Sequence, residues 1–252
     1  MSRTPFVAGN WKMNKTVEEA EAFIGALLPR VSSAEGVDVA ICPPFTALQA
    51  MIDSARGSRV GVYAQNMHEE DDGAFTGEVS APMLAELDVG GVLLGHSERR
   101  MHFGETDAAL QQKVVRALEA GFAPMLCVGE TEDERESGDT ERKLRHQVLE
   151  ALDQVPVERL PDLTIAYEPI WAIGSGKVAT KEIAQEAVGF IRALVAHFDK
   201  EAAEQVRVLY GGSVKPDNAE ELMAQPDVDG FLVGGASLDF EVFATIVEAA
   251  RT

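Results

Sequence analysis

The stretch FVAGNWKMN, residues 6–14, decides the architecture. Phe6–Asn10 reads as a buried strand, and the turn after it separates two ways of building an α/β chain. A doubly wound sheet that binds a dinucleotide turns from its first strand through a G-x-G-x-x-G run. Here the strand turns instead into Asn10, Trp11 and Lys12, with Gly9 as its one glycine. Working outward, seven further β-rich runs recur: 38–42, 60–65, 91–95, 123–129, 164–168, 207–212 and 230–235. They are near-continuous apolar stretches, the pattern of parallel strands covered on both faces. Eight strand–helix units average roughly 31 residues, the size of a βαβ repeat. The sequence therefore predicts an α/β fold, a closed (β/α)8 barrel forming one domain over residues 1–252. An open doubly wound sheet is the alternative.

Between the strands lie segments of helical period. Ile183, Ala187, Phe190, Ile191, Leu194 and Phe198 fall on one face, as do Leu110, Val114 and Leu118. Thr16-x-x-Glu19 and Asp217-x-x-Glu220 match the capping-box pattern, and Thr106, Thr140 and Thr180 suit N-cap positions. No linker or low-complexity tract divides the chain.

Hydrophobic residues make up 46% of the 252, enough for a large core and too many for a disordered chain. Cys42 and Cys127 each sit near the end of an apolar run and read as reduced, buried thiols. The first apolar stretch is too short for a signal peptide, and no run approaches the ~20 residues of a membrane span. The expectation is a cytoplasmic protein without a membrane partner. A net charge of −20, from 42 acidic and 22 basic residues, argues against nucleic acid, which rewards clustered Lys and Arg. It also poses a question for any anionic ligand, which such a surface repels at long range.

In a barrel of this kind the chemistry gathers at the C-terminal ends of the strands. Strand 1 ends in Asn10 and Lys12, strand 4 in His96 and Ser97, strand 6 in Glu168. Strands 7 and 8 end in the Gly-Gly turns YGGS (210–213) and VGGAS (233–237). A cation, an imidazole, a carboxylate and two sets of backbone donors thus share one face. An isolated histidine is more often a satisfied core residue. At the end of VLLG (92–95) it points to function. Lys12 taken alone could be a surface lysine, and Glu168 a strand cap or an arginine partner. Their shared position at strand ends favours placed groups. Glycine turns let N–H groups approach an anion closely, and the segment after GGAS suggests a short helix whose N-terminus faces the same spot. His68, His102, His146 and His197 show no ligand spacing, and no metal site is expected. GSGK (174–177) resembles part of a nucleotide P-loop, but Trp171 and Val178 occupy positions that motif reserves for Gly and Ser/Thr.

The residues resemble the triosephosphate isomerase family from end to end: AGNWKMN (8–14), AQN (64–66) with GAFTGEVS (73–80), GHSERR (95–100), CVGE (127–130), AYEPIWAIGSGKVAT (166–180), YGGSV (210–214) and FLVGGASL (231–238), in order and correctly spaced. The resemblance implies interconversion of dihydroxyacetone phosphate and glyceraldehyde 3-phosphate through an enediolate, without cofactor or metal. It implies Glu168 as general base, His96 as neutral electrophile, and Lys12 with Asn10 as groups that stabilise negative charge. Gly174, Ser213, Gly234 and Gly235 match phosphate-binding positions. Ser97 matches a residue that holds the open glutamate, and Glu98 an acid that pairs with the lysine. Pro169–Trp171 and Lys177–Ala179 match the hinges of a closing lid (169–179), Ile173 and Leu232 an apolar clamp over the carboxylate, and Tyr210 a hydroxyl that latches the shut lid. Such a lid would desolvate Glu168 and raise its pKa. A local positive site would answer the charge question, since salt screens long-range repulsion beyond about 8 Å.

Loop 65–79 matches the segment that docks into a second subunit and brings Thr76 to that subunit's Asn10 and His96, so a homodimer is expected. Four consecutive acids, Glu69 to Asp72, depart from the family's habit of an aromatic or apolar residue near position 69. They predict a wetter interface, weaker at low ionic strength. Other readings are another small-phosphate barrel enzyme and a non-catalytic sugar-phosphate-binding barrel. An aldolase would want a Schiff-base lysine within a strand, where Lys12 does not lie. The acid-rich segment 129–141 reads as a solvated loop and helix start.

Overall fold

The computed structural model describes residues 3–251. Eight strands, β1 (Phe6–Asn10), β2 (Asp38–Cys42), β3 (Val60–Ala64), β4 (Gly91–Leu94), β5 (Ala123–Val128), β6 (Thr164–Tyr167), β7 (Arg207–Tyr210) and β8 (Gly230–Val233), close on themselves in sequence order. Every pairing is parallel, and β1 meets β8 with Val7 opposite Phe231. The expected barrel is the observed fold, and the open sheet is set aside by the β1–β8 seam.

Around it run α1 (Val17–Val31), α2 (Leu48–Ala55), α3 (Ala81–Glu86), α4 (Ser97–Phe103), α5 (Asp107–Glu119), α6 (Glu132–Glu136), α7 (Thr140–Leu152), α8 (Lys181–Phe198), α9 (Lys200–Ala203), α10 (Pro216–Met223) and α11 (Phe240–Ala249). Two apolar layers result. Alternate strand residues (Phe6, Ala8, Ala40, Leu93, Met125, Cys127, Ala166, Leu209, Leu232) fill the lumen, so it is packed rather than open. The opposite faces (Val7, Ile41, Val92, Leu126, Ile165, Val208) meet the helices in a second, larger core. Each fully buried Leu or Ile here contributes roughly 1.5–3 kcal/mol. Cys42 and Cys127 are buried and unpaired, as expected.

Several boundaries differ from the sequence reading. Strands 3 to 8 end one or two residues early, because Gln65, Gly95, Gly129, Glu168, Gly211–Gly212 and Gly234–Gly235 leave the ladder to form the rim. β3 also alternates, with Gly61 and Tyr63 only half-buried. Thr16, Thr106 and Thr180 do cap their helices. The expected box at Asp217 is absent: α10 starts at Pro216, Lys215 holds the cap position, and its N–H donates to Asn218 Oδ1 at 2.8 Å. Thr140 is the first residue of α7, and Asp139 holds the cap position. The segment after VGG is a 3-10 turn, Gly235–Leu238, and the following helix is capped by Asp239. Among the described residues no helix is long and apolar enough to cross a membrane.

Candidate active site

β1, β4 and β6 each end by presenting a polar side chain to one cavity of about 380 Å³, which Asn10, Lys12, His96 and Glu168 line together with Gly174, Ser213, Gly234 and Gly235. Asn10, His96 and Glu168 are all buried. Glu168 Oε1 lies 2.9 Å from His96 Nε2, and Glu168 Oε2 accepts the Ser97 backbone N–H at 2.9 Å. The Ser97 contact is thus made by the main chain. Its hydroxyl is buried without a hydrogen-bond partner.

His96 is itself the N-cap of α4, and its Nδ1 accepts the Glu98 N–H at 3.3 Å. With Nδ1 occupied as an acceptor, the hydrogen of the neutral ring sits on Nε2, facing Glu168. Burial disfavours charge on both partners. On Glu168 the opposing effects of His96, the Ser97 N–H and Lys12 win and hold the carboxyl below its ordinary range. On His96 burial is again opposed by the Glu168 charge, which raises its proton affinity.

Lys12 reaches this pair from β1's end. Its Nζ lies 2.6 Å from Glu98 Oε1, and its backbone has a positive φ of 53°. A lysine in that region is strained by of order 1 kcal/mol. Three contacts hold it there: Asn10 Oδ1 accepts the Lys12 N–H at 3.0 Å, and Gln65 Nε2 donates to the carbonyls of Lys12 and Cys42 at 2.9 and 2.8 Å. Opposite the lysine, Gly234 brings bare backbone close; a Cβ there would stand 3.7 Å from Lys12 Cε.

The lid segment covers one side of the cavity through Ala172, Ile173 and Gly174, with Leu232 below. Tyr210 is buried, and its hydroxyl completes no close hydrogen bond. Burial pushes that phenol up to about 12, and the nearby backbone of Ala179 and of Ser213 offsets part of this. Thr76 stands apart from the other candidates, exposed on loop 65–79 beside exposed Phe75.

Residues 5–250 match the triosephosphate isomerase family model. The chain belongs to the triosephosphate isomerase family. It is 53% identical over 249 residues to the triosephosphate isomerase of Carboxydothermus hydrogenoformans, covering 98% of this chain and 99% of that one. It is 51% identical to that of Symbiobacterium thermophilum (98% and 97% covered). The value for Rubrobacter xylanophilus is 52% (99% and 98% covered).

Two residues of the site are not singled out by the sequence. Gln65, at the end of β3, fixes the Lys12 backbone. Glu130, just past β5, is fully buried and gathers Tyr167 Oη (3.0 Å), Trp171 Nε1 (2.8 Å) and Arg135 Nη1 (3.2 Å) on one oxygen. A signal exists for both: they follow strands, as Asn10, His96 and Glu168 do. Among the described residues no group of three or more His, Cys, Asp and Glu side chains could hold a metal ion.

Proposed function

We infer that the chain interconverts dihydroxyacetone phosphate and glyceraldehyde 3-phosphate. Family membership over residues 5–250 carries this reading, and the site geometry supports a role for each side chain. The Glu168 carboxylate takes the C–H proton next to the carbonyl. The C–H electron pair becomes a carbon–carbon double bond and the carbonyl π pair moves onto its oxygen, where His96 Nε2–H and the Lys12 ammonium meet the charge. His96 passes a proton to that oxygen and takes the one from the neighbouring hydroxyl, whose oxygen becomes the new carbonyl as Glu168 returns its proton to the former carbonyl carbon. Substrate and product are isomers, so the step requires neither oxidant nor reductant, and no cofactor or metal takes part in it. Asn10 holds Lys12 in register. Gly174, Ser213, Gly234 and Gly235 take the phosphate with backbone and hydroxyl donors, Ile173 and Leu232 exclude water over the carboxylate, and Tyr210 latches the lid. In the described conformer both Glu168 oxygens are engaged by His96 and Ser97. Substrate must draw His96 Nε2 away and free the carboxylate for the carbon.

On this reading residues 1–252 are one domain, working in the cytoplasm in glycolysis and gluconeogenesis, and the working form is a homodimer. Met13, Phe75, Met101 and Phe103 expose large apolar side chains, at 95%, 45%, 54% and 70% of their area. A cleft of about 270 Å³ beside the site, lined by Lys12, Met13, Phe45, Gln65, Glu98 and Phe103 among others, suits a partner's loop 65–79 and its Thr76. A non-catalytic binder would not need the Glu168–His96 pair that this chain keeps.

The test is a coupled isomerisation assay of wild type beside Glu168→Gln. The expected result is an active wild type and a variant lower by about 10²–10⁴-fold, the usual worth of a general base. A wild type that bound a phosphate-bearing analogue without isomerising substrate would leave the anion site and remove the reaction.

A further inference from the structure

One short segment of the barrel rim, residues 130–135, grips the lid at both ends. At the upstream hinge, Ile170 N donates to the Glu130 carbonyl (3.1 Å), Trp171 Nε1 donates to the Glu130 carboxylate (2.8 Å), and the Arg135 guanidinium lies over the Trp171 ring at 5.0 Å. At the downstream hinge Lys177, the single charged residue between Pro169 and Ala179, is ion-paired with Glu132 on α6. Between these anchors the lid is bonded to itself: Ser175 Oγ donates to the Trp171 carbonyl (2.7 Å) and accepts the Lys177 N–H (3.2 Å). The lid is therefore a self-braced unit on two anchors of different kinds. The upstream anchor is a buried carboxylate that cannot let go cheaply. The downstream one is an ion pair about half exposed on each side (53% and 49%), weak enough to exchange.

We propose that Glu132 is a positioning residue: through Lys177 it tethers the downstream hinge in the described conformer and sets how readily the lid shuts. The pair is made in a conformer whose Tyr210 hydroxyl completes no close hydrogen bond. Carrying Gly174 onto a phosphate moves the lid tip and, with it, the lysine three residues on. Breaking an exposed pair costs little, so the tether tunes the lid without blocking it. Its removal should shift the open–shut balance about two- to five-fold. Glu132 does not line the site cavity, and its neighbour Glu134 is engaged elsewhere, capping α6 through Thr131 and lying 3.3 Å from Lys143.

This inference rests on the isomerase reading, and its test separates the two. The probe is 2-phosphoglycolate, whose carboxylate and phosphate imitate an enediolate phosphate. Glu132→Gln and Lys177→Gln should each tighten its binding and lower KM two- to five-fold, with kcat unchanged or reduced where lid opening limits turnover. The double variant should add nothing further. The gap from wild type should close at 1 M salt, where screening reaches about 3 Å. Asp133→Asn is the control, and an equal shift there would mean a general field effect and overturn the tether. Unchanged analogue affinity in both single variants would overturn it too, while leaving an active wild type and the isomerase reading intact. Trp171 fluorescence after a temperature jump follows the lid without substrate. Should the wild type be inactive, the isomerase reading falls and the tether is decided by that relaxation: faster closing in Glu132→Gln supports it, identical relaxation overturns it.

Discussion

Removing one oxygen from Tyr210 should weaken catalysis without weakening the fold. The hydroxyl is buried and completes no close hydrogen bond in the described conformer. A buried polar group left unpaired is a cost of about 1–3 kcal/mol to the form that carries it, so Tyr210→Phe leaves the resting enzyme as stable as before or more so. The shut form is affected oppositely. There the hydroxyl would meet the Ala179 N–H, and its loss forfeits that bond and strands a buried donor. The net penalty on closing is about 1–2 kcal/mol, a five- to thirty-fold shift toward open. The assay pairs kcat/KM with calorimetric melting. Expected are a five- to thirty-fold fall in kcat/KM, a matching loss of analogue affinity, and a Tm equal to or above wild type. In a chain of this size 1 kcal/mol moves Tm by about 2–4 °C. A Tm lower by more than about 3 °C would show that the hydroxyl is bonded in the resting form, and the latch reasoning would fail with it. A kcat/KM within two-fold of wild type would equally refute it.

Glu168 is held below its ordinary value of 4.5, so in the free enzyme the base is charged throughout the neutral range and is lost only as pH falls through that lowered pKa. By the same sign, its contribution to stability is complete above the ordinary value and disappears on acidification. When the lid shuts, Ser97 and His96 let go and water leaves. The acid limb of kcat should therefore lie at higher pH than that of kcat/KM, and coincident limbs would count against the mechanism. Gly129→Ala should be severe, since a Cβ there would stand 1.8 Å from the Glu168 carbonyl oxygen. We expect a loss of at least about 3 kcal/mol and a strong fall in activity, and wild-type melting would refute the close approach. Loop 65–79 carries five acids, four of them consecutive, and of these Asp71 meets Arg116 at 2.6 Å and Glu69 lies by His68. If the chain works as the homodimer proposed above, that dimer should dissociate more readily at low salt; sedimentation that shows an unchanged dimer at every salt and at nanomolar protein would overturn that expectation.

The barrel is legible in the sequence because its strands are buried on both faces and its turns carry no dinucleotide signature. Strand boundaries read long for a physical reason. Most of the rim residues are glycines that continue the apolar runs without a break, and Gln65 and Glu168 follow directly on the last apolar residue, yet their backbones leave the ladder to build the site. Asn10, Lys12, His96 and Glu168 can be found because each is a polar residue ending an apolar run. Gln65 and Glu130 satisfy the same rule, but an amide and one acid within an acid-rich stretch carry no chemical alarm of their own. The stretch 129–141 looks solvated because composition cannot separate an acid facing water from one facing Trp171. Only the fold, which places β5's end beside β6's loop, distinguishes Glu130 from Glu136.

The imidazole that caps α4 makes His96 answerable to two selections at once. A replacement that fails as a cap costs about 0.5–2 kcal/mol of stability besides whatever it costs the chemistry. Asparagine can accept the Glu98 N–H and yet has no ring nitrogen to offer an oxyanion. A duplicated copy of this gene therefore has a narrow exit from catalysis, through residues that still begin the helix. Along that path the descendant would remain an intact barrel with a phosphate pocket, free to be recruited as a sensor of the molecules its ancestor turned over.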